Sequence, residues 1–453
     1  MQPPSTITGT GSVYYNVAYI GVGNVNTYSG GTTIAGGEVE AYESTSFGTG
    51  PVVVNGGFIA SNYGHDFPNT FNLSGAAITT GNYTGQGNAA GYSELGGATV
   101  LAADTTINEG GGSGLIFGST VTAPNNNNLI LNAGGNGVVF DGSVSLGTGQ
   151  IENSTTVQLN PASGTAITIS SVISGSGSVS HIGSGTTVLT AVNTYTGGTT
   201  VSAGLLKFAV PGAFPVDSPL TITGGTAQAA SSTSTATKNT LFASSLAISG
   251  TGLLDLTNND LLVQSDGGAT TLSGITALIA KGYNYGHWNG TSGITSSAAA
   301  ANTTHLTALG VIVNDNGSGS QVYSQFDGQS TSDGDVLVKY TYYGDANLDG
   351  KVDGSDYSLI DAGYASGGTL TGWQNGDFNY DGVIDGSDYA LIDNAFNNQG
   401  TGFGASASAL TAASTAQVAA TAVPEPASLG LAALATSALT VRRRRQPKVM
   451  MTA

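Results

Sequence analysis

The sequence predicts a mainly β chain organised around a β-solenoid, with smaller modules following towards its carboxyl end. Three observations carry this. Glycine fills 70 of 453 positions, against roughly 7% in average proteins. Charged residues make up 8% while hydrophobic ones make up 39%, with a mean hydropathy of +0.08, so the chain can bury a core and lacks the highly charged, apolar-poor profile of disorder. Finally, three blocks recur in order. Ile7-Thr-Gly-Thr-Gly-Ser-Val13 returns as Ile173-Ser-Gly-Ser-Gly-Ser-Val179. Asn26-Thr-Tyr-Ser-Gly-Gly-Thr-Thr-Ile34 returns as Asn193-Thr-Tyr-Thr-Gly-Gly-Thr-Thr-Val201, and Val52-Val-Val-Asn-Gly-Gly57 as Leu220-Thr-Ile-Thr-Gly-Gly225, all at offsets of 166 to 168.

Residues 1–235 consist of short β-branched runs, such as Val52–Val54 and Ile167–Ile169, punctuated by Gly, Asn, Ser and Thr, with no sustained helical period. Strands this short cannot bury an apolar face alone; stacking them as coils makes one continuous core. Residues 236–343 are more mixed and read as a β-rich cap or small α+β module. Within it Thr271–Ala280 is a candidate helix and Asp335–Tyr343 a closing strand that shields the terminal coil from edge pairing.

Residues 344–398 carry the chemistry. Asp345-Ala-Asn-Leu-Asp-Gly-Lys-Val-Asp-Gly-Ser-Asp356 places side-chain oxygens at loop positions 1, 3, 5, 9 and 12, and Asp377-Phe-Asn-Tyr-Asp-Gly-Val-Ile-Asp-Gly-Ser-Asp388 repeats the pattern 32 residues later. Ten of the 28 acids lie between Asp345 and Asp393. Ca²⁺ takes six to eight oxygens, and a loop of this spacing wraps them around one centre. The expected ligands of two Ca²⁺ ions are Asp345, Asn347, Asp349, Lys351, Asp353 and Asp356 in the first loop and Asp377, Asn379, Asp381, Val383, Asp385 and Asp388 in the second. Lys351 and Val383 serve only through their backbone carbonyls. Gly350 and Gly382 occupy position 6, where the chain turns sharply. Both loops end in Asp, where the usual pattern has Glu. Carboxylates crowded this closely repel one another without a cation, so folding and metal binding are expected to be coupled.

Beyond an Ala/Ser/Thr-rich linker, 399–422, residues 423–446 hold Val423-Pro-Glu-Pro426, an uncharged run to Val441, and Arg442–Arg445. The uncharged run is shorter than the roughly 20 residues that span a bilayer comfortably, and the Arg cluster would hold its end at the cytoplasmic face.

Composition excludes other classes. The formal charge is −18, and residues 1–441 contain five Lys and no Arg, so no basic face exists for a nucleic acid. Cysteine is absent, which removes disulfides and thiolate metal sites. No zinc-binding HExxH, GxSxG elbow or Walker A loop is present. His65, His181, His287 and His305 are scattered and read as surface or satisfied polar residues. Glu38, Glu40, Glu43, Asp104 and Asp141 could converge as a carboxylate pair on a solenoid face, as glycosidases require. Tyr283, Tyr285 and Trp288 suit either sugar stacking or core packing. The amino terminus shows no basic n-region followed by an apolar run, so no secretory signal is visible; the true start is expected upstream.

Three family resemblances follow from these residues. The Asn-Thr-Tyr-(Ser/Thr)-Gly-Gly-Thr-Thr block resembles the autotransporter-associated β-strand repeat, with copies at about 7–59 and 173–227, and implies a right-handed parallel β-helix on a bacterial surface. The duplicated loop with an exiting helix, over about 343–398, resembles a type I dockerin. That implies calcium binding and docking to a cohesin-like domain, with Ser355, Ser387, Tyr357 and Tyr389 as candidates for the docking face; those tyrosines equally suit packing between the two helices. The tail resembles the PEP-CTERM sorting signal. It implies export, transient membrane contact through a C-terminal apolar helix, and cleavage by an exosortase-type enzyme. The expected protein is an exported, non-catalytic component of the cell surface, outer envelope or extracellular matrix, with exopolysaccharide as a further candidate partner. The alternative is a glycoside hydrolase or lyase recruited to a complex through the dockerin-like module.

Overall fold

The computed structural model describes residues 6–61, 65–75, 77–80, 92–109, 114–132, 137–234, 238–264, 270–400 and 403. Residues 423–446, expected from their sequence to be a sorting signal, and the linker apart from 399, 400 and 403 lie outside the described residues.

The chain is mainly β, a β-solenoid of about ten turns. Each turn contributes short strands to parallel ladders. One ladder stacks ten parallel strands, beginning with Asp66–Phe67, Tyr92–Leu95, Gly114–Phe117 and Val138–Phe140 and ending with Leu261–Val263. Its register places Phe67, Leu95, Phe117, Phe140, Leu159, His181, Val201, Ile222 and Ile248 directly above one another. A second column runs Val39, Ile59, Ile78, Ile107, Leu131. Alternate residues point inward, because successive side chains of a strand face opposite sides. That is why three-residue strands such as Phe71–Leu73 bury residues 71 and 73 and expose Asn72. The described residues between 60 and 170, where the sequence repeats only loosely, form coils like the rest. Parallel pairing also continues past residue 235, through Leu241–Ile248, Leu253–Asp255 and Gly293–Thr295.

The repeated block is a corner that ties three coils together. Asn26 accepts from the amide of Ile7 (2.9 Å) and donates to the carbonyl of Ser46 (2.9 Å). Asn193 does the same between Ile173 (2.9 Å) and Ala213 (2.7 Å). Two residues on, the buried Tyr28 and Tyr195 hydroxyls meet Thr32 and Thr199 at 2.6 and 2.7 Å. A Cβ at Gly30 or Gly197 would sit 2.5 or 2.6 Å from the backbone carbon of Gly11 or Gly177 in the neighbouring coil. Glycine at these positions is therefore set by close backbone approach.

The parallel ladder ends in a reversal. Val336–Tyr342 pairs antiparallel with Leu261–Val263, and Thr307–Val313 pairs antiparallel with Val336–Tyr342. Helix α1 (Thr270–Tyr283) lies against Gly293–Thr295, where a Cβ at Gly293 would be 2.3 Å from the carbonyl oxygen of Leu278. Helix α2 (Ser297–Ala301) is a single short turn capped by Ser296. Helices α3 (Gly354–Ala365) and α4 (Gly386–Asn398) each leave one acidic loop. Among the described residues no helix is long and apolar enough to cross a membrane.

Candidate metal centre

The two acidic loops fold alike and share the same main hydrogen bonds to their backbones. The position 1 carboxylate accepts the position 6 glycine amide: Asp345 from Gly350 at 2.9 Å and Asp377 from Gly382 at 3.1 Å. Asn347 and Asn379 accept the amides of Asp349 and Asp381 at 2.9 Å each. Asp353 and Asp385 cap the exiting helices, accepting from Ser355 and Ser387 at 2.8 Å each. Asp356 and Asp388 complete capping boxes, which satisfy amides that a helix start otherwise leaves open. Gly350 and Gly382 have φ of +94° and +85°. Leu348 and Tyr380, at position 4, are also left-handed at +59°, a strain for which the residue types gave no signal.

The shorter Asp at position 12 stays within reach of the loop backbone. One oxygen of Asp356 accepts from Ala346 (3.0 Å) and Asn347 (3.3 Å), the other from Asp353 (2.9 Å). In both loops the other position 1 oxygen, Oδ1 of Asp345 and of Asp377, is buried with no hydrogen-bond partner. A buried carboxylate oxygen without a donor carries the full desolvation penalty, and a cation bound there would remove it.

The electrostatics agree. Burial pushes Asp345 up to about 7, and burial with the neighbouring Asp388 charge pushes Asp377 up to about 6. Burial raises Asp356 to about 6 and Asp388 upward as well. Asp353 instead falls to about 2, because the Lys351 ammonium hydrogen-bonds it. Lys351 also lies 3.8 Å from Asp349. The second loop has Val383 in that place, so the two loops differ in charge although they match in backbone. Among the described residues no three carboxylates or imidazoles stand close enough together to share an ion as placed. The loops mix carboxylates with Asn and backbone oxygens, and several carboxylate oxygens are turned onto loop amides.

The first loop is fastened to the end of the solenoid by residues that the sequence reading did not single out. Thr341, on Val336–Tyr342, donates to Asp345, and Tyr323 donates to the carbonyl of Asn347. Lys339, fully buried, donates to the carbonyl of Leu348 at 3.1 Å. Trp373 Nε1 donates to the carbonyl of Asp345 at 2.7 Å. From the second loop, Tyr380 donates to the carbonyl of Leu309. The visible signal was Lys339, a lone cation within an otherwise uncharged strand.

The helices are joined reciprocally. Tyr357 donates to Asp393 and Tyr389 to Asp361, both at 2.5 Å. These two tyrosines therefore bridge α3 and α4. Ser355 and Ser387 are exposed at the loop ends, their hydroxyls donating to Asp353 and Asp385.

Of the remaining candidates, Tyr283 packs against Tyr380 of the second loop, and the others have their own partners or lie exposed. His181 sits in the apolar column and His287 and His305 are exposed. Tyr283 and Trp288 are buried and meet edge to face at 5.2 Å, while Tyr285 is 93% exposed. Glu40 is hydrogen-bonded by Tyr19 and Tyr42. Asp104 accepts the amide of Asn128, and Asp141 accepts from Asn160.

Comparison with known proteins adds two matches on this geometry. Residues 343–397 match the Dockerin type I domain, and residues 22–41 and 182–207 match the Passenger-associated-transport-repeat. The chain is also similar to the Adhesin BmaC autotransporter of Brucella suis biovar 1 (strain 1330), with 30% identity over 262 residues, covering 54% of this chain and 6% of that protein. The chain thus spans only a small part of that relative. No solved structure matches it.

Proposed function

We propose that the protein is an exported, non-catalytic surface component of adhesin type, whose solenoid ends in a dockerin-like module that binds two Ca²⁺ ions. The observation that carries this is the paired orphan oxygen: Asp345 and Asp377 each bury one acceptor without a donor, at the same position of two matching loops. Type I dockerin domains bind calcium. The ligands would be Asp345, Asn347, Asp349, Asp353 and Asp356 with the Lys351 carbonyl, and Asp377, Asn379, Asp381, Asp385 and Asp388 with the Val383 carbonyl. A cation there neutralises carboxylates that burial otherwise holds towards the protonated form, and it fixes α3 and α4 for a cohesin-like partner. The similarity to an adhesin and to transport-associated repeats supports a surface or extracellular location. We further infer right-handed coils, because about 98% of parallel crossovers have that hand. Processing near Val423–Pro426 by an exosortase-type enzyme, and contact with exopolysaccharide, complete the proposal.

Calorimetric titration of the chelator-treated full chain tests the metal reading. The expected result is two Ca²⁺ per chain, and none after combined Asp345→Ala and Asp377→Ala. No heat of binding in the parent protein, or unchanged uptake in the double variant, rejects it.

A further inference from the structure

The first calcium loop is buttressed from outside itself. Its position 1 carboxylate accepts from Thr341, and the carbonyls of Asn347 and Leu348 accept from Tyr323 and Lys339. Thr341 and Lys339 belong to Val336–Tyr342, which pairs with the last parallel strand of the ten-strand ladder, Leu261–Val263. The contact is tight on the neighbouring strand too. A Cβ at Gly310 would lie 2.7 Å from both Leu348 Cδ2 and the Trp373 ring. Trp373 in turn stacks on Tyr380 at 5.6 Å, and Tyr380 meets Tyr283 of α1 edge to face at 5.7 Å. On the far side Gln399 exchanges two hydrogen bonds with the backbone of Val352, and Phe403 lies 4.6 Å from Tyr342.

We propose that calcium in these loops locks the end of the solenoid, so that the module is a metal-dependent cap as well as a docking unit. Resting on the calcium reading above, this asks where the effect of the ion is felt. Opening Val336–Tyr342 withdraws Thr341 and Lys339 from the loop and breaks the site. A ligand held only by the closed form suppresses that opening by the factor 1 + [Ca²⁺]/Kd. At calcium 100 times Kd, amides exposed by this opening therefore exchange about 100-fold more slowly.

Hydrogen exchange on the full chain, in Ca²⁺ and in chelator, tests the coupling alongside calorimetric uptake. The expected result is slowed exchange in 307–313 and 336–342 as well as in 345–398, with the distant coils at 166–169 and 186–189 unchanged. Thr341→Val, which keeps a β-branched side chain in the strand, should weaken Ca²⁺ binding and reduce the protection gained by 336–342 together, and unchanged affinity with unchanged protection overturns the coupling. Uptake with protection confined to 345–398 overturns this inference alone. Absence of uptake overturns the metal reading and this inference with it.

Discussion

Gly350 and Gly382 occupy the same position in matching loops, yet alanine should not be tolerated equally. Both have positive φ, +94° and +85°, so each substitution incurs the left-handed penalty of about 1–2 kcal/mol. At Gly382 a Cβ enters open space. At Gly350 it would lie 1.7 Å from the carbonyl oxygen of Phe403, so the returning segment has to move. Phe403 is partly buried, 4.6 Å from Tyr342 and 5.4 Å from Tyr340 by ring centroid. Each such aromatic pair contributes about 0.5–1.5 kcal/mol beyond its buried area. The expected losses are about 2–5 kcal/mol for Gly350→Ala and about 1–2 kcal/mol for Gly382→Ala. The assay is urea unfolding of the calcium-loaded chain followed by tryptophan fluorescence. Both tryptophans, Trp288 and Trp373, stand at the junction between cap and module. In a Phe403→Ala background, with the segment no longer anchored by its ring, the gap between the two glycine variants should narrow. Equal losses in the parent protein would refute the steric argument.

Two further outcomes concern the solenoid. His181 is buried between Leu159 and Val201, with Nδ1 on the Ala203 carbonyl at 2.8 Å and Nε2 without a partner, and burial lowers its pKa below the ordinary 6.5. The unfolded chain therefore binds the proton first, so this contribution to stability is complete above pH 6.5 and is lost as pH falls towards the lower folded value. Urea midpoints by circular dichroism should drop more between pH 7.5 and 5.5 in the parent than in His181→Leu, and parallel slopes would contradict the assignment. Asn193→Ala leaves the Ile173 amide and the Ala213 carbonyl unpaired in a buried corner and should cost about 2–4 kcal/mol. The exposed neighbour Thr194→Ala should stay within about 0.5 kcal/mol, and equal midpoints for the pair would show that the corner is not held by Asn193.

Much of the local structure was legible because it depends on local chemistry. The loop spacing from Asp345 to Asp356 and from Asp377 to Asp388 specifies its own hydrogen bonds, and the exiting helices follow from Asp caps at 353 and 385. The Asn-Thr-Tyr block could be recognised as a repeated corner. Its reason, an amide bridging coils above and below, needed the stacking register. Residues 60–170 showed little repetition because a coil requires only an apolar residue at each inward position. Phe67, Leu95, Phe117 and Phe140 satisfy that without resembling one another in their surroundings.

The sequence by itself determined the strand-rich, cysteine-free chain, the two acidic loops and their glycines, since these rest on residue type and short spacing. Only the tertiary structure decided which distant residues support the loops. Thr341 and Lys339 reach the first loop because an antiparallel strand closes the last coil and delivers them there, while Tyr323 and Trp373 arrive from the segments before that strand and between α3 and α4. It also decided that Tyr357 and Tyr389 bridge the helices and that His181 lies within an apolar column. Such partnerships depend on register and stacking between separate segments, and no periodicity within one segment encodes them.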